Sequence, residues 1–296
     1  MARMLIQHLP LRADNPGSLS AAVEDLAGRR CVVVRSDASH ARGALRPSDG
    51  ELLADAARHA YDNRLPLIAI FASSGADVSE GIAALHGWGG AARNIVRCSG
   101  VVPVIFAVDG PAVSGIALMI GLADFVVMTA QAYAFVSGPN MVRMMTGVTI
   151  DVEDLGGGST HARQTGVAAL TVTTLEEAED AIAELLGFLP DHVDKPAPYA
   201  ADSAATAESV EAFRDLIPDS PTGSYDIRHA IQLMCDDEYF LEIRSGWAPN
   251  LVTGFGTIGG HPVGLVGNQP MSIAGTLDIP SSQKGARFVG TCDAFG

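Results

Sequence analysis

The residues best placed to carry chemistry are Ser114 and Gly115, which follow an apolar β-rich run and precede an apolar helical run. Small residues at such a strand-to-helix turn let backbone N–H groups approach a ligand, and the first N–H groups of a helix lack intrahelical acceptors. Two such groups can hold a developing oxyanion. The alternative is plain packing, in which both residues are small because the helix lies close to a sheet.

Two further stretches of small residues could contact a ligand. Residues 65–71 are apolar throughout, as in a strand buried on both faces, and Ser73, Ser74 and Gly75 follow them. Ligands of open α/β folds bind at the carboxyl ends of strands, so we expect this loop beside the Ser-Gly turn. Residues 156–158 are three glycines, which permit close approach of the backbone to a ligand; a helix C-cap with a flexible turn is the alternative.

Composition excludes several classes of protein. The 296 residues carry a formal charge of -15, which argues against a nucleic-acid binder, and the 48% hydrophobic content suffices for packed cores. The four cysteines are far apart, without a metal-ligand spacing, so we predict no metal site and reduced thiols in a cytoplasm. The best candidate for a membrane span, residues 116–130, is short and contains Asp124, so none is predicted.

The alternation of apolar strands and amphipathic helices predicts an α/β fold with a mostly parallel sheet. One short helix fits residues 19–27. Residues 191–222 are rich in Pro, Ala, Asp and Ser, which indicates a linker between a first domain, 1–190, and a second region, 223–296.

A weak internal repeat relates the two regions. Gly43-Ala-Leu45 and Gly275-Thr-Leu277 lie 232 positions apart, and each stands between a predicted strand and a predicted helix. The same shift places Gly296 on Arg64, one residue before the apolar strand 65–71. We therefore expect the second region to lack its central sheet and its own Ser-Gly-type turn, as in a fragment, a split gene product or a truncated gene. A small complete satellite domain is the alternative.

Several blocks of sequence, in their order and spacing, are similar to the carboxyltransferase (beta) subunit of biotin-dependent acyl-CoA carboxylases of the propionyl-CoA and acetyl-CoA type. These blocks are residues 73–81, 99–103, 110–115, 123–128, 136–139, 142–147, 155–161, 166–168, 266–270, 284–289 and 292–295. The resemblance implies an α/β, crotonase-like (ClpP/crotonase) domain of ββα repeats. The incomplete start of a second crotonase-like domain would follow it.

The resemblance also implies a reaction, the transfer of a carboxyl group from carboxybiotin to the α-carbon of a short acyl-CoA. The N–H groups of Ser114 and Gly115 would hold the enolate oxygen, and no histidine or metal is required. The implied substrate-binding residues are Ser73, Ser74, Gly75, Ala112, Gly138, Pro139, Gly156 and Gly157. Biotin, carried by a separate protein, would contact Asn268, Gln269 and Gly275.

Partners follow from the same resemblance. They are the acyl-CoA substrate, a biotin carboxylase and biotin carrier subunit, and either further copies of the chain or a complementing C-terminal half; neither nucleic acid nor membrane is expected. The sequence departs from the family at two positions: Ser114 stands where the family has glycine, and Asp77 where it has arginine. Two other functions remain open, a non-catalytic acyl-CoA-binding or assembly subunit and an acyl-CoA decarboxylase.

Overall fold

The computed structural model describes residues 9–11, 16–200, 207–216, 218, 220 and 223–296. Its strands are β1 Leu9–Pro10, β2 Leu19–Leu26, β3 Arg29–Ser36, β4 Leu67–Ser73, β5 Val104–Val113, β6 Phe125–Met128, β7 Tyr133–Phe135, β8 Leu170–Thr171, β9 Phe240–Glu242, β10 Leu251–Ile258 and β11 His261–Asn268. Its helices are α1 Pro47–Asn63, α2 Ile82–Cys98, α3 Gly115–Met119, α4 Pro139–Thr146, α5 Val152–Gly156, α6 Gly158–Thr160, α7 Leu175–Phe188, α8 Ala207–Leu216, α9 Ile227–Met234 and α10 Ile279–Phe295. Short 3₁₀ turns lie at Ala41–Gly43, Val78–Glu80, Ile120–Leu122, Asp236–Glu238 and Ile273–Gly275, and a π-helical turn at His161–Thr165.

In the described part of the chain, eight strands form one mixed sheet. β1, β2 and β3 pair antiparallel; from β3 onwards β4, β5, β6 and β8 are parallel neighbours, and β7 pairs with the end of β5. The side chains of β4 to β6 are mostly buried on both faces, which explains their nearly continuous apolar sequences. The predicted, mostly parallel α/β sheet is confirmed.

Helices cover both faces of this sheet. α1 and α2 pack against one face, and α7 packs against the other. A second sheet, in the order β11-β10-β9, joins the α7 side together with α10. There the ring of Phe255 lies against those of Phe125, Phe188 and Phe288, with centroids 5.7, 5.6 and 5.0 Å away. The second region therefore shares a hydrophobic core with the first.

The internal repeat is present in the backbone. The 232-residue shift carries β2 onto β10, β3 onto β11 and α1 onto α10, each with identical bounds. The turn Ala41–Gly43 recurs at Ile273–Gly275, and all six residues have positive φ. The predicted repeat is thus confirmed as a hairpin, a turn and a helix.

The helix predicted over residues 19–27 is wrong, because this segment is β2, paired along its length with β3. The buried carboxylate of Asp49 holds β2 in place. It accepts hydrogen bonds from the N–H of Leu19 at 2.9 Å and from that of Arg46 at 2.8 Å. One side chain thus caps the first turn of α1 and fixes the neighbouring strand.

Helices α1 and α2 cross closely at glycines. A Cβ on Gly50 would lie 2.5 Å from the backbone of Gly87, a distance that Cβ atoms do not adopt. Gly90 lies nearly one turn further along α2, and a Cβ there would meet no described heavy atom within 4 Å. The crossing therefore requires glycine at position 50 and not at position 90.

We expect Gly50→Ala to lower the free energy of unfolding by about 2 kcal/mol or more, because the added methyl group meets backbone that cannot easily move. Gly90→Ala is the matched control and should raise it by about 1 kcal/mol, since alanine favours the helix. Urea unfolding followed by circular dichroism measures both values. Similar effects of the two substitutions would contradict the crossing.

Candidate functional site

The loop at residues 73–75 and the Ser-Gly turn at residues 114–115 meet at the carboxyl ends of β4 and β5. Ser73 pairs in register with Ala112, and a Cβ on Gly75 would lie 3.3 Å from the Cβ of Ser114. The hydroxyl of Ser73 donates to the carbonyl of Gly43 at 2.6 Å and accepts from the N–H of Gly75 at 3.2 Å. The loop after β4 therefore lies beside the Ser-Gly turn, as the sequence predicts.

The backbone of Ser114 is strained, and its amide N–H already makes a hydrogen bond within the protein. Its φ of 63° and ψ of -123° suit glycine, and other residues adopt such angles at a cost of about 1–3 kcal/mol. Its N–H donates to the carbonyl of Phe135 at 3.0 Å, which ties the end of β5 to β7. The expectation that this N–H faces a ligand is therefore wrong, because the sheet already uses it.

The N–H of Gly115, by contrast, has no hydrogen-bond acceptor among the residues that the structure describes. It opens α3, where the first amides have no acceptor within the helix. The indole of Trp88, on α2, lies against its Cα, and a Cβ on Gly115 would come within 2.5 Å of that ring. Glycine is required here by contact with Trp88, a residue that no sequence motif indicated.

Ala76, in the loop after β4, has a second amide without an acceptor in the described chain. Leu45 fixes the loop on both sides of it: the N–H of Leu45 donates to the carbonyl of Gly75, and its carbonyl accepts from the N–H of Asp77, both at 2.8 Å. The N–H of Ala76 is left uncommitted between these two bonds. No sequence signal singled out this residue, because the group that matters is backbone.

The other predicted substrate residues lie around β7. Gly138 is the N-cap and Pro139 the first residue of α4, which follows this strand. Gly157 forms an isolated β-bridge with Tyr133, the first residue of β7. A Cβ on Gly156 would lie 2.2 Å from a carbonyl oxygen of β7, so this glycine permits close packing. The carbonyl of Phe135 on β7 also accepts the hydrogen bond from the Ser114 N–H. All four residues therefore lie at the same end of the sheet as the Ser-Gly turn.

His161 and Asp77 take part in local hydrogen bonds. Nε2 of His161 lies 2.8 Å from the carbonyl oxygen of Ala134, which can only accept, so Nε2 carries the proton, and Nδ1 lies 2.8 Å from the Thr165 hydroxyl. Oδ2 of Asp77 lies 3.4 Å from Nε of Arg46, so a cation stands beside this carboxylate. These contacts hold the loops at the edge of the site.

Comparison with known proteins decides the family. Residues 15–296 match the family model of the carboxyl transferase domain. The chain belongs to the carboxyl transferase domain family. Its crotonase-like α/β fold, predicted from the sequence, is the fold of solved carboxyltransferase structures.

Named relatives of this chain are carboxylase subunits. The biotin-dependent acetyl-/propionyl-coenzyme A carboxylase beta5 subunit of Mycobacterium tuberculosis (strain CDC 1551 / Oshkosh) is 39% identical over 276 residues, 90% of this chain and 50% of that subunit. The propionyl-CoA carboxylase beta chain of Saccharopolyspora erythraea is 38% identical over 277 residues, 90% of this chain and 51% of its own. The chain spans about half the length of these relatives.

The crystal structure of transcarboxylase 12S, a hexamer with hydrolysed methylmalonyl-coenzyme A bound, is similar in fold and in sequence. It superimposes with a TM-score of 0.91 at 30% identity, covering 94% of this chain and 55% of the transcarboxylase chain. The likeness therefore extends over nearly the whole of this chain, including the second region.

The residues that the sequence predicts to face biotin form an internal network. Asn268 Nδ2 donates to the carbonyl of Gly275 at 2.6 Å, and Nε2 of the buried Gln269 donates to Asp226 at 2.6 Å. These hydrogen bonds hold the turn after β11, and the contact of these residues with biotin stays a prediction. We therefore assign no step through biotin to these three residues.

Two arginines of the second region donate hydrogen bonds to backbone carbonyls of the first region. Arg287, on α10, donates to the carbonyl of Ala123 at 2.7 Å, and Arg244 donates to that of Gly166 at 2.8 Å. Both interact with Asp124, and burial raises the pKa of its carboxyl group to about 6. Burial also lowers the pKa of Arg244 to about 9. The second region is therefore bonded to the loop that follows α3.

None of the described helices is long and apolar enough to cross a bilayer. The described His, Cys, Asp and Glu side chains form no group of three or more that could hold a metal ion. The thiols of Cys31, Cys98, Cys235 and Cys292 are free.

We expect Ser114→Gly to raise the free energy of unfolding by about 1 kcal/mol, because glycine adopts the positive φ without strain. Ser114→Ala is the control: it keeps the Cβ and the strain, and should change stability by less than about 0.5 kcal/mol. Chemical denaturation of the two variants measures the difference. A loss of stability in Ser114→Gly would show that the turn does not have this geometry.

Proposed function

We propose that this chain is the acyl-CoA half of a biotin-dependent carboxyltransferase, which binds a short acyl-CoA and stabilises its enolate. The observation that carries the proposal is the pair of uncommitted amides, of Gly115 and Ala76, on two loops in contact at the ends of β4 and β5. Membership of the carboxyl transferase family supports the class of reaction.

The chain's contribution to the reaction is binding and charge stabilisation. The thioester carbonyl oxygen accepts hydrogen bonds from these two amides, and loss of an α-proton places negative charge on that oxygen. A preorganised backbone donor is worth about 3 kcal/mol at such an oxygen in the transition state. The α-carbon of the enolate would then form the new bond to the carboxyl carbon, while the bond between that carbon and the carboxyl donor breaks and its electron pair stays on the donor, which can take up the α-proton.

The base and the carboxyl donor come from outside the described residues. The name of the Mycobacterium tuberculosis relative, a biotin-dependent carboxylase subunit, supports biotin as the donor. In this proposal biotin is carried on a separate protein and is carboxylated by a biotin carboxylase. The hexamer of transcarboxylase 12S supports a homo-oligomer. In this proposal residues 1–190 form the acyl-CoA domain, 191–222 the linker and 223–296 the start of the biotin-side domain, and the four free thiols suit the cytoplasm.

Calorimetric titration of the full chain with propionyl-CoA and with S-propyl-CoA, a thioether that lacks the carbonyl oxygen, tests the proposed contact. We expect propionyl-CoA to bind at least about tenfold more tightly, because a hydrogen bond contributes about 1 kcal/mol and two are formed. Free CoA is the control for binding through the nucleotide alone. Equal affinities of the two acyl derivatives would contradict the oxygen site.

Malonyl-CoA separates carboxyl transfer from decarboxylation. The proposal predicts that malonyl-CoA is stable when incubated with the chain without biotin, since no acceptor is present for its carboxyl group. Its conversion to acetyl-CoA, followed by chromatography, would instead support a decarboxylase that uses the same two amides.

A further inference from the structure

Strand β7 supports the Ser-Gly turn of the candidate site, and a side chain completes its outer edge. The strand pairs with β5, and the carbonyl of Phe135 accepts the Ser114 N–H at 3.0 Å. Because successive carbonyls of a strand point to opposite edges, that of Ala134 points away from β5. There it accepts a hydrogen bond from Nε2 of His161, 2.8 Å away. The imidazole therefore takes the place that a backbone N–H of a neighbouring strand would take.

The chain runs very close to this edge of β7. The N–H of Gly158 donates to the carbonyl of Ala132 at 3.1 Å. A Cβ on Gly156 would lie 2.2 Å from the oxygen of the buried Ala134, so the backbone passes directly beside this oxygen. A buried carbonyl needs a hydrogen-bond donor, and His161 supplies one here.

Thr165 fixes the orientation of the imidazole. His161 and Thr165 are the two ends of the π-helical turn, and Nδ1 lies 2.8 Å from the Thr165 hydroxyl. Since Nε2 carries the proton, Nδ1 accepts from this hydroxyl. The hydroxyl oxygen in turn accepts from the N–H of Val167 at 3.3 Å. The ring is thus held at both nitrogens and cannot turn without breaking a hydrogen bond.

The second region packs on the end of this π-helical turn. Gly166 ends the turn at a φ of 65°, and a Cβ there would lie 2.2 Å from the indole of Trp247. Nε of Arg244 donates to the carbonyl of Gly166 at 2.8 Å. Both side chains come from the loop between β9 and β10. That loop therefore fixes the turn that carries His161.

We propose that His161 is a positioning residue of the candidate site and acts by holding β7 in place. β7 in turn holds Ser114, which directs the N–H of Gly115 to the thioester oxygen. The imidazole neither touches the substrate nor moves a proton in this role. Without its hydrogen bond, β7 would shift and Ser114 would relax from its strained conformation. This inference deepens the proposed function and rests on it for the identity of the substrate oxygen.

Two amide substitutions test whether the reach of the side chain matters. In glutamine, as in histidine, Nε2 is four bonds from Cα, so His161→Gln keeps a donor for the Ala134 carbonyl. Asparagine carries the same amide group on a side chain that is one methylene shorter, so His161→Asn does not reach that carbonyl. Thermal unfolding of both variants checks that the chain remains folded.

Calorimetric titration with propionyl-CoA and S-propyl-CoA measures the effect on the carbonyl contact. In His161→Asn the preference for propionyl-CoA should fall at least about threefold, because a hydrogen bond weakens steeply when its donor is misplaced. The affinity for S-propyl-CoA, which lacks the oxygen, should not change. His161→Gln should retain the native preference. A purely structural role would weaken the binding of both ligands alike.

Hydrogen exchange at the Ser114 amide, followed by NMR, reports on the same arrangement without a ligand. Exchange should be at least about tenfold faster in His161→Asn than in the native chain, since the bond to Phe135 opens more often. In His161→Gln the native rate should be kept.

Three results would overturn the inference: equal exchange rates in all three proteins, an unchanged ligand preference in His161→Asn, or equal losses in the two variants. If the native chain itself shows no preference for propionyl-CoA, the proposed function fails. The exchange rates then still decide whether His161 holds β7 and Ser114 in place.

Discussion

The candidate site depends on one close approach, in which the loop after β4 touches the turn after β5 at Gly75 and Ser114. Parallel pairing of the two strands forces their carboxyl ends together, and the absence of a side chain on Gly75 lets the loops meet. Ser114 then takes a strained conformation, and its N–H bonds to β7. The strain is compensated by that bond, and the next amide, of Gly115, is left uncommitted at the point where the two loops meet.

The second region supports this arrangement from the face of the sheet that α7 covers. Its rings pack into the core beneath α7, and Arg287 binds the carbonyl of Ala123, just beyond the helical segment that starts at Gly115. A cation at this end also opposes the negative end of a helix dipole. The candidate site and the second region are therefore coupled through backbone hydrogen bonds as well as through apolar packing.

Sequence patterns predicted the elements whose burial is uniform. The apolar runs of β4 and β5 and the repeated Gly-x-Leu turns were recognisable because their spacing has few alternatives. Residues 19–27 resemble a helix in composition, but their register against β3 and the anchor at Asp49 make them a strand. The sequence indicated Gly115 as a donor of the site but not Ala76, and it wrongly indicated Ser114, since whether an amide is already hydrogen-bonded depends on tertiary contacts such as that between Ser114 and Phe135. Trp88 and Arg287 were missed for the same reason.

The most direct test of the account is the difference infrared spectrum of propionyl-CoA labelled with ¹³C at the carbonyl carbon, recorded with and without the chain. Isotope editing isolates the stretching band of the thioester carbonyl from the protein background. We expect this band to move to lower wavenumber on binding, because backbone donors polarise the C=O bond. Binding of propionyl-CoA with an unshifted carbonyl band would contradict the claim that the amides of Gly115 and Ala76 hold the thioester oxygen.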